Sequence, residues 1–471
     1  LPRLQDQHPA TMLIRQPRNA AMLSAATAAA LLGFVATAAE AAFFLPTTTT
    51  TSLGGVVIPR RPDAAASSSS DGSLFEASSS QATIRTSTST PPRRSPSSSS
   101  LYSTTTVDAY VPPDLSGRVA VVTGATRGIG KGIALELGAA GMTVYVAGRS
   151  DESDDASSAG GGGGATTERE FEGMEKCTVQ QTAREIDSMP GPGRGVPVKC
   201  DVRDDDDVQA LFERVKDETG GRLDVAVASA FQTPPGLDTA DFRNDFWKQG
   251  ADMWDCCHGV GLRGAYVTCC EAVPMMIDTA AAAAADEKKE SKGEGKGGNK
   301  PLIVLISSFG GKSYTFNVAY GVGKAACDRL ASDMSVQLAP YGVDTVALYP
   351  GVVRTEGNLA MDERGEWDEA SGGMPLDPGK AESPRFSGRA VATLLSDPSR
   401  MTERSGKVAV VAELAKELGF TDVDGSTPPS IRSLKFILPG FVFPQIEKES
   451  GKPLPSFITD NIPDYLLPWS V

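Results

Sequence analysis

Short apolar runs recur along the chain from Val119 to Leu348. Longer stretches, in which apolar positions return every three or four residues, separate them. Val119-Ala-Val-Val-Thr-Gly reads as a buried strand ending in glycine. Gly128 to Ala140 reads as a helix, with Ile129, Ile133, Leu135 and Leu137 among its apolar positions. Thr143–Gly148 is the next strand, then a helix over about 171–188 and a strand at Val196–Val202. A helix over about 205–219, a strand at Leu223–Ala230 and a long helix over about 250–277 follow. Leu302–Ile306 is a strand, about 317–339 a helix, and Val343–Leu348 a strand. Strands that are apolar throughout and alternate with helix-length spacers predict an α/β fold: one doubly wound parallel sheet with helices on both faces. Such sheets bind ligands at the carboxyl ends of their strands.

Two low-complexity stretches interrupt this rhythm. Residues 151–167 carry the Gly160–Gly164 run, and residues 280–300 pass from alanines to Lys, Glu and Gly. Both fall in connections, where extra length is tolerated. The predicted domain runs over residues 114–419, with an extension over 420–471. The apolar run Leu434–Pro444 in that extension is too short and too interrupted to span a bilayer. It is expected to pack on the domain, cover the substrate pocket, mediate assembly or make weak contact with a membrane surface.

Composition separates the first quarter from the rest. Residues 1–107 hold eight Arg, no Lys and five acidic residues, whereas the remainder of the 471 residues holds 37 basic and 54 acidic ones. Residues 1–41 resemble a signal peptide: Arg15 and Arg18, an Ala-rich apolar core, then Ala39 and Ala41. Residues 42–113 are rich in Ser, Thr and Arg, as transit peptides are. The pair is similar to the bipartite presequence of algae with secondary plastids, so a plastid is the expected location. The endoplasmic reticulum or cytoplasm is the alternative. The acidic body argues against nucleic acid as a partner. Seven cysteines, four of them in two adjacent pairs, and only His8 and His258 give no spacing that would hold a metal.

The candidate chemistry gathers at strand ends. Gly124, Arg127, Gly128, Ile129 and Gly130 join the first strand to its helix. Glycines there let backbone approach a pyrophosphate, and a helix N-terminus favours the anion. Arg149 ends the second strand where an acidic residue would select NAD. With Arg127 it favours NADP, NAD being the alternative. Asp201 and Val202 end the third strand and are placed for an adenine ring. Tyr320 and Lys324, four apart on one helix face, lie beyond Ser308. An ammonium beside a phenol is expected to bring its pKa down from about 10, so that it exchanges a proton with a substrate oxygen.

These motifs, with Pro350-Gly351, resemble the short-chain dehydrogenase/reductase family over about residues 114–415. Met253–Asp255, Val260–Gly264, Phe316–Asp328 and Asp422–Gly425 resemble one branch of it more closely. The resemblance implies a Rossmann-like fold, a homodimer and an oxidoreductase of small or apolar carbonyl compounds, steroid-like ketones among them. It implies that Tyr320 is the general acid or base, that Lys324 binds the nicotinamide ribose and that Ser308, with Ser307 as its rival, binds the reacting oxygen. Pro350, Gly351 and Thr355 would hold the nicotinamide.

The chain departs from the family pattern twice. Ala228-Ser229-Ala230-Phe231 stands for Asn-Asn-Ala-Gly, leaving Ser229 as a cofactor contact through its backbone, and Gly261 stands for a catalytic asparagine. His258, one turn earlier, is a candidate to compensate. Two other readings stay open: a non-catalytic NADP(H)-binding sensor or scaffold, and a plastid β-ketoacyl reductase.

Overall fold

A computed structural model describes residues 110–153, 177–234, 237, 239–290 and 300–468. Nearly all of the expected leader, most of the stretch 151–167 and residues 291–299 of the second low-complexity stretch lie outside the described residues. The packed chain begins earlier than Asp114: the Tyr110 ring lies 6.5 Å from that of Phe420, with the Arg389 guanidinium 4.2 Å above it.

Seven parallel strands form one sheet in the order β3-β2-β1-β4-β5-β6-β7. They are β1 Val119–Thr123, β2 Thr143–Gly148, β3 Arg194–Lys199, β4 Val225–Ala228, β5 Leu302–Ile306, β6 Asp344–Tyr349 and β7 Lys407–Val410. Numbering helices of eight residues or more, the order is α1 Gly128–Ala139, α2 Val179–Asp187, α3 Asp205–Thr219, α4 Phe246–His258 and α5 Ala265–Glu290. Then follow α6 Val318–Leu338, α7 Glu356–Glu363, α8 Pro384–Ser396, α9 Val411–Leu418 and α10 Phe443–Ser450.

The apolar strands are explained by burial on both faces. Ala120 and Val122 of β1 face one core with α1, α2, α8 and α9, whereas Val119 and Val121 face the other with α3, α5 and α6. Successive side chains of a strand point to opposite sides, so a strand covered on both must be apolar at every position.

Three expectations are corrected. The second helix starts at Val179, where the Thr178 hydroxyl caps it by accepting from Gln181 N–H at 3.1 Å. β7 is an addition to the expected strands, because Lys407–Val410 is only four residues long and, as an edge strand can be, buried at only two of its four positions. The long helix is not continuous: a π-helical turn, Gly259–Gly264, separates α4 from α5, and a turn from Phe246 precedes the expected start, where Gly250 has φ 72°. The stretch Phe246–Asp286 is long and apolar enough to cross a membrane by length and composition alone. Here Val260, Cys269, Ala272 and Met276 are spent on the sheet.

The extension folds back. Leu434, Phe436, Ile437, Leu438, Val442 and Phe443 are buried with Val352, Trp367, Leu376 and Ala381 of the segment after β6. These side chains therefore complete a third core and are not available to a membrane surface.

Helices α1 and α8 touch through backbone. A Cβ on Gly132 would lie 2.1 Å from the Pro384 carbonyl oxygen, and one on Gly388 2.6 Å from that of Gly132. Gly132→Ala should therefore destabilise the fold by about 2 kcal/mol or more, as rigid overpacking does, measured as a lowered urea midpoint with unchanged slope.

Candidate active site

The turn between β1 and α1 is built from glycines because its neighbours leave no room. Gly124 and Gly128 have φ of 67° and 57°. A Cβ on Gly124 would lie 2.7 Å from Ala230 Cα, and one on Gly130 2.3 Å from the Gly124 carbonyl oxygen. This turn forms one wall of a cavity of about 390 Å³ at the carboxyl ends of the strands. Every residue expected at the site lines that cavity: Gly124, Arg127, Gly128, Ile129, Gly130, Arg149, Asp201, Val202, Ser229, Ser308, Tyr320, Lys324, Pro350, Gly351 and Thr355. Folding thus brings together residues as far apart in the sequence as Gly124 and Thr355.

At one end stand three guanidinium groups. Burial pushes Arg149 below its ordinary pKa; Asp201 opposes this, while Arg203 and Arg127 add to it. Asp201 is not free: its carboxylate takes Arg203 Nε at 3.1 Å and Nη2 at 2.5 Å. Burial works against its ionisation, and the Arg203 bonds outweigh burial to hold it below the usual carboxylate range.

At the other end, Tyr320 O–H donates to Ser308 Oγ at 2.8 Å, and Gly310 N–H donates to the same oxygen at 3.1 Å. Ser307 is directed elsewhere. Its buried hydroxyl donates to the Lys324 carbonyl oxygen at 3.0 Å. Asn317 caps α6 by accepting from Tyr320 N–H at 2.8 Å, and its Nδ2 donates to the Phe242 carbonyl at 2.9 Å. Lys324 Nζ donates to the Ile306 carbonyl at 2.9 Å and lies 5.7 Å from the Tyr320 ring centroid.

The expected lowering of the Tyr320 pKa is not what this arrangement produces. Burial pushes the phenol up to about 12 despite the Ser308 hydrogen bond, and burial pushes Lys324 down. Both groups lose solvation, and the ammonium spends a hydrogen bond on a strand carbonyl.

Several neighbours carry no signal in the sequence. Phe231, Phe242 and Phe316 place their rings 5.6, 6.4 and 5.3 Å from that of Tyr320. Phe316 is the one non-glycine residue with positive φ (62°) among the described residues. Glu356 Oε2 accepts from Gly128 N–H at 2.7 Å. Glu382, 1% exposed, lies beneath Gly351. Phe231 ends the altered segment after β4 and Phe316 opens a segment of the family resemblance, but neither position marks a neighbour of Tyr320; Glu382 and Glu356 are separated from Gly351 and Gly128 by stretches whose course only the fold fixes.

Gly261 and Phe231 fit each other. A Cβ on Gly261 would lie 3.0 Å from Phe231 Cδ2. The Lys324 ammonium sits 5.1 Å from the Phe231 ring centroid, a cation–π distance. His258 does not stand in for the missing asparagine. Its Nε2 meets the Ala319 carbonyl at 2.8 Å and its ring packs on Trp254, tying α4 to α6.

A family model described as enoyl-(acyl carrier protein) reductase matches residues 170–411, and one described as short chain dehydrogenase matches residues 118–159. Dehydrogenase/reductase SDR family member 1 of Mus musculus is 38% identical over 328 residues, covering 69% of this chain and 89% of that protein. The Homo sapiens protein of the same name is 38% identical over 331 residues with the same coverage. A 3beta-hydroxysteroid dehydrogenase of Mediterraneibacter gnavus is 26% identical over 234 residues, covering 50% of this chain and 65% of that protein.

If Gly261 and Phe231 are matched by shape, their substitutions are coupled. Gly261→Ala should cost about 1 kcal/mol, and at least about half of that should vanish in a Phe231→Ala background. Urea denaturation of the four proteins of the cycle measures it; additive losses would dismiss the coupling.

Proposed function

The chain belongs to the short-chain dehydrogenase/reductase family, and from that premise we propose that it is an NADP(H)-dependent carbonyl reductase of small or apolar substrates, steroid-like ketones included. The observation that carries the proposal is the 2.8 Å bond from Tyr320 O–H to Ser308 Oγ, in the same cavity as the glycine turn. A protonated phenol beside a hydroxyl, with an ammonium behind, is what reducing a carbonyl requires of a protein.

The cavity fits a dinucleotide. The Gly124–Gly130 turn lines it with backbone that packs too closely on Ala230 and on itself for a Cβ at Gly124 or Gly130. The Glu356 carboxylate on Gly128 N–H stands in for a diphosphate oxygen, so this amide is already directed at an anion. Gly124, Gly128, Ile129, Gly130 and the Ser229 backbone would hold the diphosphate and its riboses. Val202 would lie beside the adenine. Arg127 and Arg149 would pair with a 2′-phosphate, which supports NADP over NAD. Asp201, occupied by Arg203, is a poorer adenine acceptor than its position alone suggests. Pro350, Gly351 and Thr355 would hold the nicotinamide end.

Bound there, NADPH supplies the hydride that goes to the carbonyl carbon. Ser308 holds the substrate oxygen, and Tyr320 gives its proton to that oxygen as it gains charge. A phenol pushed up to about 12 stays protonated at neutral pH, so the acid is in place for reduction. Oxidation needs the phenolate and should gain as pH rises. The three phenylalanine rings around Tyr320 support an apolar substrate. The name of the Mediterraneibacter protein keeps steroids in view, and the description of the longer family match keeps an acyl-carrier-protein thioester in view.

The full-length protein with NADPH and a panel of aliphatic, steroid and β-ketoacyl carbonyls tests this. Tyr320→Phe should lower kcat by at least about 100-fold while NADPH affinity stays within about twofold. Tight NADPH binding without turnover, unaltered by the substitution, would favour the sensor or scaffold reading. Arg149→Ala should weaken NADPH about tenfold and leave NADH nearly unchanged, as loss of one charge-assisted pair does. Equal losses for both would refute the assigned phosphate contact.

A further inference from the structure

Glu382 is a buried acid that the proposed chemistry does not use. It is 1% exposed, and neither carboxyl oxygen has a hydrogen-bond partner of good geometry. Orphaned buried polar atoms are uncommon and call for a reason. Its backbone is firmly placed: Glu382 N–H donates to the Val352 carbonyl at 2.7 Å, Arg354 N–H donates to the Glu382 carbonyl at 2.8 Å, and Val353 and Glu382 form a parallel bridge. Its side chain reaches the loop above, where a Cβ on Gly351 would lie 2.8 Å from Glu382 Oε1. Gly351 lines the cavity on its other side. The carboxyl is thus the floor under the backbone that forms one wall of the site.

We propose that Glu382 is a positioning residue: its carboxyl supports Pro350–Gly351 from the core side and fixes the height of the surface on which the nicotinamide lies. This rests on the reading that Pro350 and Gly351 hold the nicotinamide.

Among the described residues Glu382 makes no ion pair. Asp422 faces it from the segment after α9 and is itself held by the Ser383 amide at 2.7 Å and the Val423 amide at 2.7 Å. Arg385 and Arg389 of α8 turn to Glu136 at 2.7 and 3.4 Å. Lys380 pairs with Asp377 at 3.1 Å. Arg354, from the loop itself, lies near Asp424. Burial raises the Glu382 pKa to about 8; the Gly351 amide opposes this and Asp422 adds to it. Near neutral pH the floor is therefore an uncharged acid. Above about pH 8 it gains a negative charge behind the nicotinamide surface. That charge attracts the cationic ring of the oxidised cofactor and is indifferent to the neutral ring of the reduced one.

Fluorescence titration of the full chain tests this, with wild type, Glu382→Gln and Glu382→Ala each titrated with NADPH, NADP⁺ and 2′,5′-ADP from pH 6.5 to about 9.5. In wild type the Kd ratio of NADPH to NADP⁺ should rise about tenfold across pH 8, the size of a Coulomb term through a partly shielded interior. In Glu382→Gln the ratio should stay flat, because the shape is kept and the titration removed. In Glu382→Ala, NADPH should weaken about tenfold while 2′,5′-ADP, which lacks the nicotinamide, binds as in wild type. Equal effects on NADPH and 2′,5′-ADP, or a pH-dependent ratio retained in Glu382→Gln, would overturn the proposal. If wild type itself bound NADPH no better than 2′,5′-ADP, the assignment of Pro350–Gly351 would fail and the proposal with it.

Discussion

A parallel sheet covered on both faces has little room for polar groups except at its ends. Residues such as Val121, Val227, Val304 and Ala347 are buried completely. The strand ends are where backbone amides and carbonyls become free for other partners. Thr123, Gly148, Lys199, Ala228, Ile306 and Tyr349 are the last residues of six strands. The glycine turn, Arg149, Asp201, Ser229, Ser308 and Pro350–Gly351 are the next few residues of the chain. One constraint, complete coverage of the strands, therefore gathers the candidate site into one cavity.

The same burial sets the electrostatics of that cavity. It pushes the Tyr320 phenol and the Glu382 carboxyl up and the Lys324 ammonium down, each towards its neutral form. Hydrogen bonds only moderate this: Ser308 pulls Tyr320 back, and Ile306 gives Lys324 a carbonyl to donate to. The phenol is therefore protonated at neutral pH, and the spacing of tyrosine and lysine does not by itself set the direction of the shift. Glu356 adds a second constraint. Its carboxylate on Gly128 N–H ties the start of α7 to the glycine turn, so an anion arriving there competes with a protein side chain.

The two departures from the family pattern belong together. Phe231 occupies the space beside Gly261, with its ring against Tyr320 and Lys324. An asparagine at 261 would meet that ring. The π-helical turn at Gly259–Gly264 persists around Gly261, so the bend of the long helix does not depend on an asparagine side chain.

The chain's own order of residues determined the sheet, because a strand buried on two faces is apolar at every position and needs no partner to be recognised. It also determined the glycine turn and the Tyr320/Lys324 pair, whose members are close in sequence and carry their geometry with them. Local pattern could not determine the edge strand β7, which is only four residues long, or the π-helical turn at Gly259–Gly264, which has helix on both sides. Only the tertiary structure decided between Ser307 and Ser308 as the partner of the Tyr320 hydroxyl, since adjacent residues at a strand end face opposite ways. It alone decided that Asp201 is spent on Arg203, that the apolar run of the extension is spent on the loop after β6, and that Glu382 lies under Gly351. Each of these depends on which partner arrives from elsewhere in the chain, and on how much water that partner displaces.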